Sequence, residues 1–478
     1  MARDCTFLAD LLPADQIAFD DTARGDHAAD WGAAETGEGV VPDAVVYPES
    51  TGDVSTVLAA ATQRGVPVTP YAAGTGIEGN AVPAHAGISM DLTRLDAVLD
   101  VRPEDFQIDV EPGVMGPAIE GPVDAHGLFF PPLPSSGDIS TVGGMIANDA
   151  SGMQTVRYGE IADWLLELEA VLADGSVITA GSRAVKTSSG YNLKDVIVGS
   201  EGTLAVVTRA TLELAGRPEQ IRGARAIFPT IEAAASAVFD AVTSGVDVAK
   251  IELVDDTSAR MVNDYLDTGL PDVPMVFLEF HANHGVEEEI AFCRSLFEDH
   301  DVRRFETREA AAMEELWDAR EQLAFAIRAY DPELDALKPG DVTVPISEYP
   351  RIVAFVDDLA SEHDLLIPCF GHAGDGNLHY AILVDPTDAD ELETGRSVHD
   401  AIVERALEVG GTATGEHGIG QGKRKYLVAE HGETAVETMR RIKRALDPTD
   451  TLNPGKIFPE TADGERVRGT DPGPLAED

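Results

Sequence analysis

The sequence predicts an α+β protein of two or three domains, and three features indicate this fold class. The chain has 478 residues, which is more than one hydrophobic core usually serves. Between residues 38 and 215, short apolar segments typical of strands alternate with glycine-rich turns and few helical patterns. Between residues 216 and 405, apolar strands such as MVFLEFHA alternate with amphipathic segments such as EEEIAFCRSLFEDH.

The individual elements follow from local patterns. Residues 1–37 are expected to form a short helical lead-in. The segment DVSTVLAAATQRG predicts a helix that begins at Asp53 and stops at Gly65, and GVPVTPYAA after it predicts a strand. EAAAMEELWDAREQLAFAIRAY predicts one long amphipathic helix. Residues 406–458 are expected to form a C-terminal segment that completes the active site, and the polar tail 459–478 is expected to be disordered.

The charge is strongly acidic and excludes one class of function. The formal net charge is -50, from 35 basic and 85 acidic residues, and only eight of the basic residues are lysine. Such a surface repels phosphate, so no nucleic-acid partner is expected. Because the acidic residues are spread along the whole chain, we favour adaptation to high salt, where salt screens their repulsion. An acidic protein of a low-salt organism is the alternative.

Apolar runs and cysteines limit the location and the redox chemistry. No uncharged apolar stretch approaches the ~18 residues of a membrane-spanning helix, and the start of the chain lacks the basic region of a secretory signal. A cytoplasmic protein is therefore expected. Cys5, Cys293 and Cys369 lie far apart in the sequence, which excludes a local iron–sulfur motif and argues against a disulfide framework. Any electron transfer needs another cofactor.

The first glycine-rich loop, GTGIEG at residues 74–79, fits the pattern G-x-G-x-x-G. A nicotinamide-dinucleotide fold requires a helix directly after this loop. Residues 80–87, NAVPAHAG, instead lead into another apolar strand, so we reject that interpretation. The loop can still present backbone N–H groups to a pyrophosphate, or it can be a plain hairpin loop.

Two further stretches of small residues follow, PPLPSSGDISTVGGMIANDASG at 131–152 and TSSGYNLKDVIVGSEGTLAVVT at 187–208. Three such stretches predict one extended ligand held against backbone. In this order they resemble the FAD-binding domain of the vanillyl-alcohol oxidase superfamily, and YNLKDVIVGSEGTLAVVT is the most specific match. The resemblance implies an FAD domain over residues 38–215. In some members of the superfamily a histidine in the first loop binds the flavin covalently. No histidine occurs here between Gly74 and Asn80, so the resemblance implies non-covalent FAD.

The resemblance also implies which residues contact FAD, most of them small and all but Asn453 from the three stretches or directly beside the first of them. They are Ala73, Gly74, Thr75, Gly76, Ile77, Gly79, Asn80, Pro134, Thr141, Gly143, Gly144, Ala147, Ser151, Gly152, Glu201, Gly202, Val207 and Asn453.

Two histidines flank a glycine-rich turn in CFGHAGDGNLHYA. A hairpin with a loop at residues 374–377 would pair Ala373 with Leu378 and His372 with His379, with the Cβ atoms of a pair about 5 Å apart. Two imidazoles at that separation can bind one divalent cation. The alternative is a pair of surface histidines beside a turn.

A second pattern, TGEHGIG, supplies Glu416 and His417. Neighbouring side chains on an extended segment diverge, so we expect one to bind the metal and the other to face the substrate. A solvated loop is the alternative for this pattern alone. Both patterns in one chain, after the flavin-type stretches, favour a metal site.

The runs GHAGDGNLH, GEHGIG and LDPTDTLNPGKIF resemble the C-terminal part of FAD-linked 2-hydroxy-acid dehydrogenases. The resemblance implies an antiparallel-sheet substrate (cap) domain over residues 216–405 and a C-terminal return to the FAD domain. It implies Zn or Mn bound by His372, His379 and Glu416, with His417 as the catalytic base and Arg320 as the ligand of the substrate carboxylate. Lys338 is expected either to add positive charge near that carboxylate or to be a plain surface lysine.

The activity implied is metal-assisted oxidation of a short D-2-hydroxy acid. Family members that oxidise hydroxyglutarate have a Lys-Tyr-Asp run and an asparagine where this chain has KPGD and Ala381. These departures favour D-lactate, then glycolate. The sequence has no iron–sulfur motif and no haem-binding motif. Electrons would therefore pass to a quinone, a cytochrome, a carrier protein or a separate iron–sulfur subunit. A homodimer, and membrane association through a partner, are further expectations.

Three alternative functions remain at this point. The chain could oxidise D-2-hydroxyglutarate, or it could oxidise a sugar without any metal. It could also be the flavin-binding subunit of a multi-subunit glycolate oxidase. A dependence of turnover on metal separates the sugar oxidase from the others.

Overall fold

The computed structural model describes residues 3–337 and 339–459. The chain folds as two compact units. The first consists of the described parts of Met1–Ala150, Glu160–Gly216 and Glu416–Asp478, and the second of Ser151–Gly159 and Arg217–Gly415. The predicted disordered tail lies outside the described residues except for its first residue.

The domain limits predicted from the sequence stay predictions, and the compact units differ from them. Residues 151–159 leave the flavin-type segment and belong to the second unit, and so do residues 406–415. The reason is pairing: Thr412 bridges to Thr343 of the second unit, and Tyr158 hydrogen-bonds His281 of the same unit at 2.9 Å.

The described residues contain α-helices that are numbered here in chain order. They are α1 Asp21–Asp26, α2 Trp31–Thr36, α3 Thr51–Arg64, α4 Gly116–Asp124, α5 Val142–Asn148, α6 Thr155–Tyr158, α7 Ile161–Trp164, α8 Leu193–Ile197, α9 Ile231–Thr243, α10 Asp256–Leu266, α11 Val286–Glu298, α12 Glu314–Glu321, α13 Leu323–Ala329, α14 Tyr349–His363, α15 Ala389–Glu408 and α16 Leu427–Leu446.

The strands are numbered in the same way. They are β1 Ile17–Ala18, β2 Ala44–Val46, β3 Val68–Tyr71, β4 Ile88–Asp91, β5 Val98–Arg102, β6 Gln107–Val110, β7 Leu128–Phe129, β8 Leu165–Val171, β9 Val177–Gly181, β10 Val206–Glu213, β11 Ala215–Gly216, β12 Gln220–Ile227, β13 Lys250–Val254, β14 Met275–Ala282, β15 Arg304–Glu309, β16 Asp335–Ala336, β17 Gly340–Thr343, β18 Cys369–His372, β19 Asn377–Tyr380 and β20 Leu383–Val384.

The first unit contains two principal sheets. One has the order β1-β2-β4-β3, with β4 parallel to both β2 and β3. The other has the order β5-β6-β10-β8-β9 and is antiparallel throughout. Each sheet packs its apolar side chains into a buried core, and α3 contributes to the core of the first sheet.

Helix α3 confirms the predicted helix in the first unit. It begins two residues before the predicted start, because the Ser50 side chain accepts a hydrogen bond from the Asp53 backbone and caps the helix. It ends as predicted at Gly65, which has φ of 65° and closes the helix in the left-handed conformation. The strand predicted after it is β3, which leads directly into the first glycine-rich loop.

The second unit is built on a seven-stranded antiparallel sheet of order β15-β12-β14-β13-β18-β19-β17. The predicted strand MVFLEFHA is β14 and the predicted helix after it is α11. Helices α9 and α14 contain the buried apolar stripes expected of helices that pack on a core.

The single long helix predicted at the end of this stretch is wrong. The segment forms α12 and α13 with a break at Gln322, whose backbone ends one helix and begins the next. The periodicity of the sequence is helical on both sides of the break, so the pattern alone predicts a continuous helix.

No helix of the described residues combines the length and the apolar character that a membrane span requires.

Candidate active site

The first glycine-rich loop lies in the first unit and presents backbone N–H groups. It follows β3, and residues 80–87 after it form no helix before β4 begins. This agrees with the rejection of a nicotinamide fold. Among the described residues, the backbone N–H groups of residues 74–77 donate no hydrogen bond. Gly74 has φ of 65°, a conformation that side chains disfavour. The loop therefore fits the phosphate groups of a dinucleotide.

The parts of the three glycine-rich stretches that belong to the first unit meet there. Thr75 of the first contacts Ser140 of the second, with the hydroxyl oxygens 3.1 Å apart. The backbone N–H of Glu201, in the third, donates to the carbonyl of Ala147 in the second at 2.7 Å. The Asn80 side-chain amide donates to the Glu201 carboxylate at 2.8 Å. One extended ligand can therefore contact all three stretches.

Asn453 joins the C-terminal segment to this arrangement. Its side-chain amide donates to the carbonyls of Asn80 at 2.9 Å and Glu201 at 2.7 Å. Its backbone N–H donates to the carbonyl of Val68 at 2.8 Å. The residue thus holds the loop and the third stretch together, which is a structural task beside the flavin contact predicted for it.

The remaining predicted FAD contacts differ in their surroundings. Gly144 is exposed near the start of α5, where Thr141 caps the helix. Val207 points into the core of the antiparallel sheet. Ser151 and Gly152 belong to the second unit. The other predicted contacts all lie in the first unit. They are Ala73, Gly76, Ile77, Gly79, Pro134, Gly143 and Gly202.

Burial changes the charge state of a lysine in the first unit. Lys456 is buried, its ammonium group donates to the carbonyl of Val82, and burial lowers its pKa to about 7. Glu201 and Asp30 nearby oppose this shift without cancelling it.

Replacing Lys456 by methionine is expected to flatten the pH dependence of stability. Between pH 7 and the pKa of 10.5 of a free lysine, the unfolded chain keeps this proton while the folded chain has lost it. Unfolding then takes up a proton, so the free energy of unfolding rises with pH by up to about 1.4 kcal/mol per unit. Denaturant unfolding at pH 7, 8 and 9 measures both slopes. Equal slopes in Lys456→Met and wild type would contradict this reasoning.

The two histidines of the metal pattern lie side by side in the second unit. Both are buried, and their ring centroids are 5.2 Å apart in an edge-to-face arrangement. The predicted pairing of His372 with His379 is wrong: His379 pairs with Phe370, and His372 pairs with Glu252 of β13. The loop begins with a short 3₁₀ turn and closes at Gly376 with φ of 85°, which shifts the register by two residues. A two-residue shift keeps both rings on one face.

A buried carboxylate connects one histidine to the predicted substrate arginine. Glu252 is fully buried, and its carboxylate contacts His372 Nδ1 at 2.7 Å and accepts from Arg320 Nε at 2.7 Å. The Arg320 guanidinium lies 4.7 Å from the centroid of the Phe370 ring. Its Nη2 atom is buried and has no hydrogen-bond partner among the described residues. An unpaired donor of this kind fits a ligand carboxylate.

A second buried carboxylate, Asp341 on β17, organises the end of the second unit. It accepts from the side-chain amide of Asn377 at 2.8 Å, from the Thr414 hydroxyl at 2.8 Å and from the Gly415 backbone at 2.8 Å. It therefore fixes the backbone that directly precedes Glu416 in the chain.

Replacing Gly415 by alanine is expected to destabilise the protein by about 1–3 kcal/mol through overpacking. A Cβ atom at residue 415 would lie 2.3 Å from the Asn377 amide nitrogen and 2.4 Å from the Thr343 hydroxyl. Gly216 is the matched control, because a Cβ atom there meets nothing within 4 Å. Denaturant unfolding measures both variants. A Gly415→Ala protein as stable as Gly216→Ala would show that the crowding is relieved without cost.

Glu416 and His417 belong to the first unit. The Asn80 side-chain amide donates to the His417 carbonyl at 3.4 Å, and the Glu201 carboxylate accepts from the backbone of Ile419 at 2.8 Å. The two side chains do not diverge as predicted, since His417 Nε2 lies 4.0 Å from a Glu416 carboxylate oxygen. The segment is bent rather than extended, which brings neighbouring side chains together.

The predicted metal ligands His372, His379 and Glu416 are thus divided between the units, and the complete set stays a prediction. The roles of Arg320 as substrate ligand and of His417 as base also stay predictions. Lys338 lies outside the described residues.

Sequence reasoning missed Glu252 and Asp341 as supports of the candidate site. Each is a single acid in a strand with apolar neighbours, KIELV and GDVTV. A carboxylate is costly to bury unless it is paired. One acid within an apolar strand was therefore the available sign of a buried, paired carboxylate.

Comparison with known proteins identifies the family of the chain. A family model described as FAD binding domain matches residues 42–181, and one described as FAD linked oxidases, C-terminal domain, matches residues 217–457. The chain is 38% identical over 422 residues to the probable mitochondrial D-lactate dehydrogenase of Danio rerio, covering 87% of this chain and 84% of the relative. It is 34% identical over 451 residues to the glycolate oxidase subunit GlcD of Bacillus subtilis, covering 93% and 94%.

Solved structures share the fold at low sequence identity. The p-cresol methylhydroxylase with substrate bound has a TM-score of 0.76 at 16% identity, covering 94% of this chain and 95% of that chain. An alkyldihydroxyacetonephosphate synthase has a TM-score of 0.72 at 21% identity, covering 93% and 84%.

The fold and the loops that fit a dinucleotide define a flavoprotein with the FAD-binding fold of the vanillyl-alcohol oxidase type. More narrowly, the chain belongs to the FAD-linked oxidase family, and it is an FAD-linked oxidoreductase.

Proposed function

We propose that this protein oxidises a short D-2-hydroxy acid to the 2-oxo acid with FAD and a divalent metal. D-lactate is the favoured substrate and glycolate the next. The carrying observation is the buried group of His372, His379, Glu252 and Arg320, in which two imidazoles lie together beside a guanidinium whose Nη2 has no hydrogen-bond partner in the described part of the chain.

The flavin loops and the metal ligands have separate tasks. The three glycine-rich stretches would hold FAD, which supplies the acceptor for the hydride from C2 of the acid. His372, His379 and Glu416 would hold Zn or Mn, which supplies a Lewis acid for the substrate hydroxyl. Two nitrogen ligands and one carboxylate are a donor set that suits either metal.

The other side chains bind the acid and take its proton. The Arg320 guanidinium pairs with the substrate carboxylate and orients C2. His417 accepts the proton of the hydroxyl. Its neighbour Glu416 is a metal ligand in this proposal, so the base and one metal ligand are adjacent in sequence.

A short acid is favoured by the run KPGD, which departs from the hydroxyglutarate-oxidising pattern where it enters β17, the strand that pairs with β19. Gly340 lies under the ring of Tyr380, where a Cβ atom would come within 2.1 Å of the ring. A larger residue therefore cannot take the place of Gly340 without moving Tyr380, and this region differs from the hydroxyglutarate-oxidising pattern. The names of the relatives, D-lactate dehydrogenase and glycolate oxidase subunit, agree with a short acid.

The second candidate function is a flavin-binding subunit of a multi-subunit glycolate oxidase. It is favoured by the relative from Bacillus subtilis, which matches along 94% of its length and is named as a subunit. In both candidates the electrons leave to an acceptor other than NAD, such as a quinone, a cytochrome, a carrier protein or an iron–sulfur subunit. The net charge of -50 supports work at high salt. The cytoplasmic location and the homodimer stay predictions from the sequence.

The test is turnover by the purified holoprotein in molar salt, with D-lactate or glycolate and an artificial dye acceptor. We expect D-lactate to bleach the flavin and reduce the dye. A chelator should abolish turnover, and added Zn or Mn should restore it. Bleaching that requires a partner protein would favour the subunit. Turnover that is indifferent to chelation would rule out the metal role.

A further inference from the structure

Glu252 occupies a position where a carboxylate is hard to accommodate. It lies on β13, between Phe277 of β14 and His372 of β18, and its side chain is 0% exposed. A buried carboxylate persists only where its oxygens are paired. Here each oxygen has its own partner: Oε1 contacts His372 Nδ1 and Oε2 accepts from Arg320 Nε, both at 2.7 Å.

We propose that Glu252 is the positioning residue of the site, and that one carboxylate sets both the tautomer of the metal-binding His372 and the edge of Arg320 that receives the substrate. This inference rests on the proposed function and deepens it. Glu252 touches neither metal nor substrate in this role; it acts through its two partners.

The tautomer follows from the contact with Nδ1. A carboxylate only accepts hydrogen bonds, so His372 Nδ1 carries the proton and donates it. The neutral ring then has its lone pair on Nε2, and a lone pair on a ring nitrogen is what a metal binds. Without an acceptor at Nδ1, both tautomers would be populated and part of the protein would present N–H to the metal.

The edge of the guanidinium follows from the contact with Nε. A carboxylate can bind arginine side-on, through Nε and Nη2, or end-on, through the two Nη atoms. Glu252 already takes the Nε hydrogen, so bidentate binding of the substrate has to use the end edge. Nη2, which has no partner among the described residues, lies on that edge.

Glu252→Gln tests the contact with His372 separately from the contact with Arg320. A carboxylate has two acceptor oxygens, whereas the amide has one acceptor oxygen and one donor nitrogen. Arg320 Nε always donates, so the amide oxygen faces Arg320 and the amide NH₂ faces His372. Nδ1 then has to accept, the ring proton moves to Nε2, and the metal lone pair is lost. We expect the affinity for Mn²⁺ to fall by roughly 10–100-fold, the range for loss of a group that orients a metal-binding histidine.

Glu279→Gln is the matched control. Glu279 is also a buried carboxylate of the same sheet, on β14, and it contacts His281 Nε2 at 3.0 Å. It contacts none of the proposed ligands. Mn²⁺ is titrated into FAD-loaded wild type and both variants in molar salt and followed by calorimetry, with thermal unfolding recorded in parallel. Weak binding by Glu252→Gln alone supports the proposal, and wild-type affinity in a folded Glu252→Gln overturns it.

Failure of the proposed function has a different signature. Wild type that binds no Mn²⁺ or Zn²⁺ would refute the metal role and this inference with it, whereas tight binding by wild type and Glu252→Gln alike would refute this inference alone. Should Glu252→Gln not fold, neutron diffraction from deuterated, metal-free wild-type crystals answers the same question. Deuterium at Nδ1 of His372 and none at Nε2 supports the assignment, and any other pattern overturns it.

Discussion

Replacing His417 by alanine is expected to lower kcat by roughly 10²–10⁴-fold, the usual contribution of a general base. The flavin should stay bound, because the contacts of the GEHGIG segment with the first unit use backbone atoms of this residue and its neighbours. Asn80 holds the His417 carbonyl, and Glu201 holds the backbone of Ile419 and Gly420. Dye-linked turnover and the flavin absorbance of the purified variant measure the two effects.

His431→Ala is the control for this variant. His431 lies on α16 in the same unit, and its side chain is 40% exposed. It should keep wild-type turnover and flavin content. A His417→Ala protein that loses its flavin, or one that turns over normally, would show that the role assigned to His417 is mistaken.

Replacing Arg320 by lysine is expected to raise KM for the acid by roughly 10–100-fold, with a smaller change in kcat. Lysine can still neutralise the buried Glu252, so the variant avoids an unpaired buried charge. It lacks the planar fork that binds a carboxylate through two hydrogen bonds. Hydrogen bonds to charged groups contribute about 1.5–3 kcal/mol each, which corresponds to this change in KM. Steady-state kinetics with D-lactate at saturating dye measures it.

The matched control is Arg225→Lys. Arg225 lies on β12 of the same sheet and binds Glu306 at 2.7 Å, so this variant also breaks an arginine–carboxylate pair. Its KM should equal that of wild type. An unchanged KM in Arg320→Lys would exclude Arg320 as the main ligand of the substrate carboxylate.

Features set by neighbouring residues could be predicted from the sequence. Helix α3 is determined by a cap at one end and a glycine at the other, both local signals. The three glycine-rich stretches and the two histidines on one hairpin are likewise recognisable, because each depends on a short run of residues. The run NAVPAHAG after GTGIEG decides between two cofactor folds, because its proline and glycine disfavour a helix there.

Features set by pairing between distant residues could not be predicted from the sequence. The hairpin register depends on the turn before Gly376 and on the pairing of β18 with β13, more than a hundred residues earlier in the chain. Glu252 and His372 are separated by 120 positions, so their contact has no local pattern. The break between α12 and α13 also leaves the helical period intact on both sides.

The central claim is that His372 and His379 bind a divalent metal. Diffraction data collected at the manganese absorption edge, from crystals of the holoprotein grown with Mn²⁺, test it most directly. We expect an anomalous peak within about 2.0–2.3 Å of one ring nitrogen of each histidine. A difference map without a peak between those rings, from protein that turns over D-lactate, would contradict it.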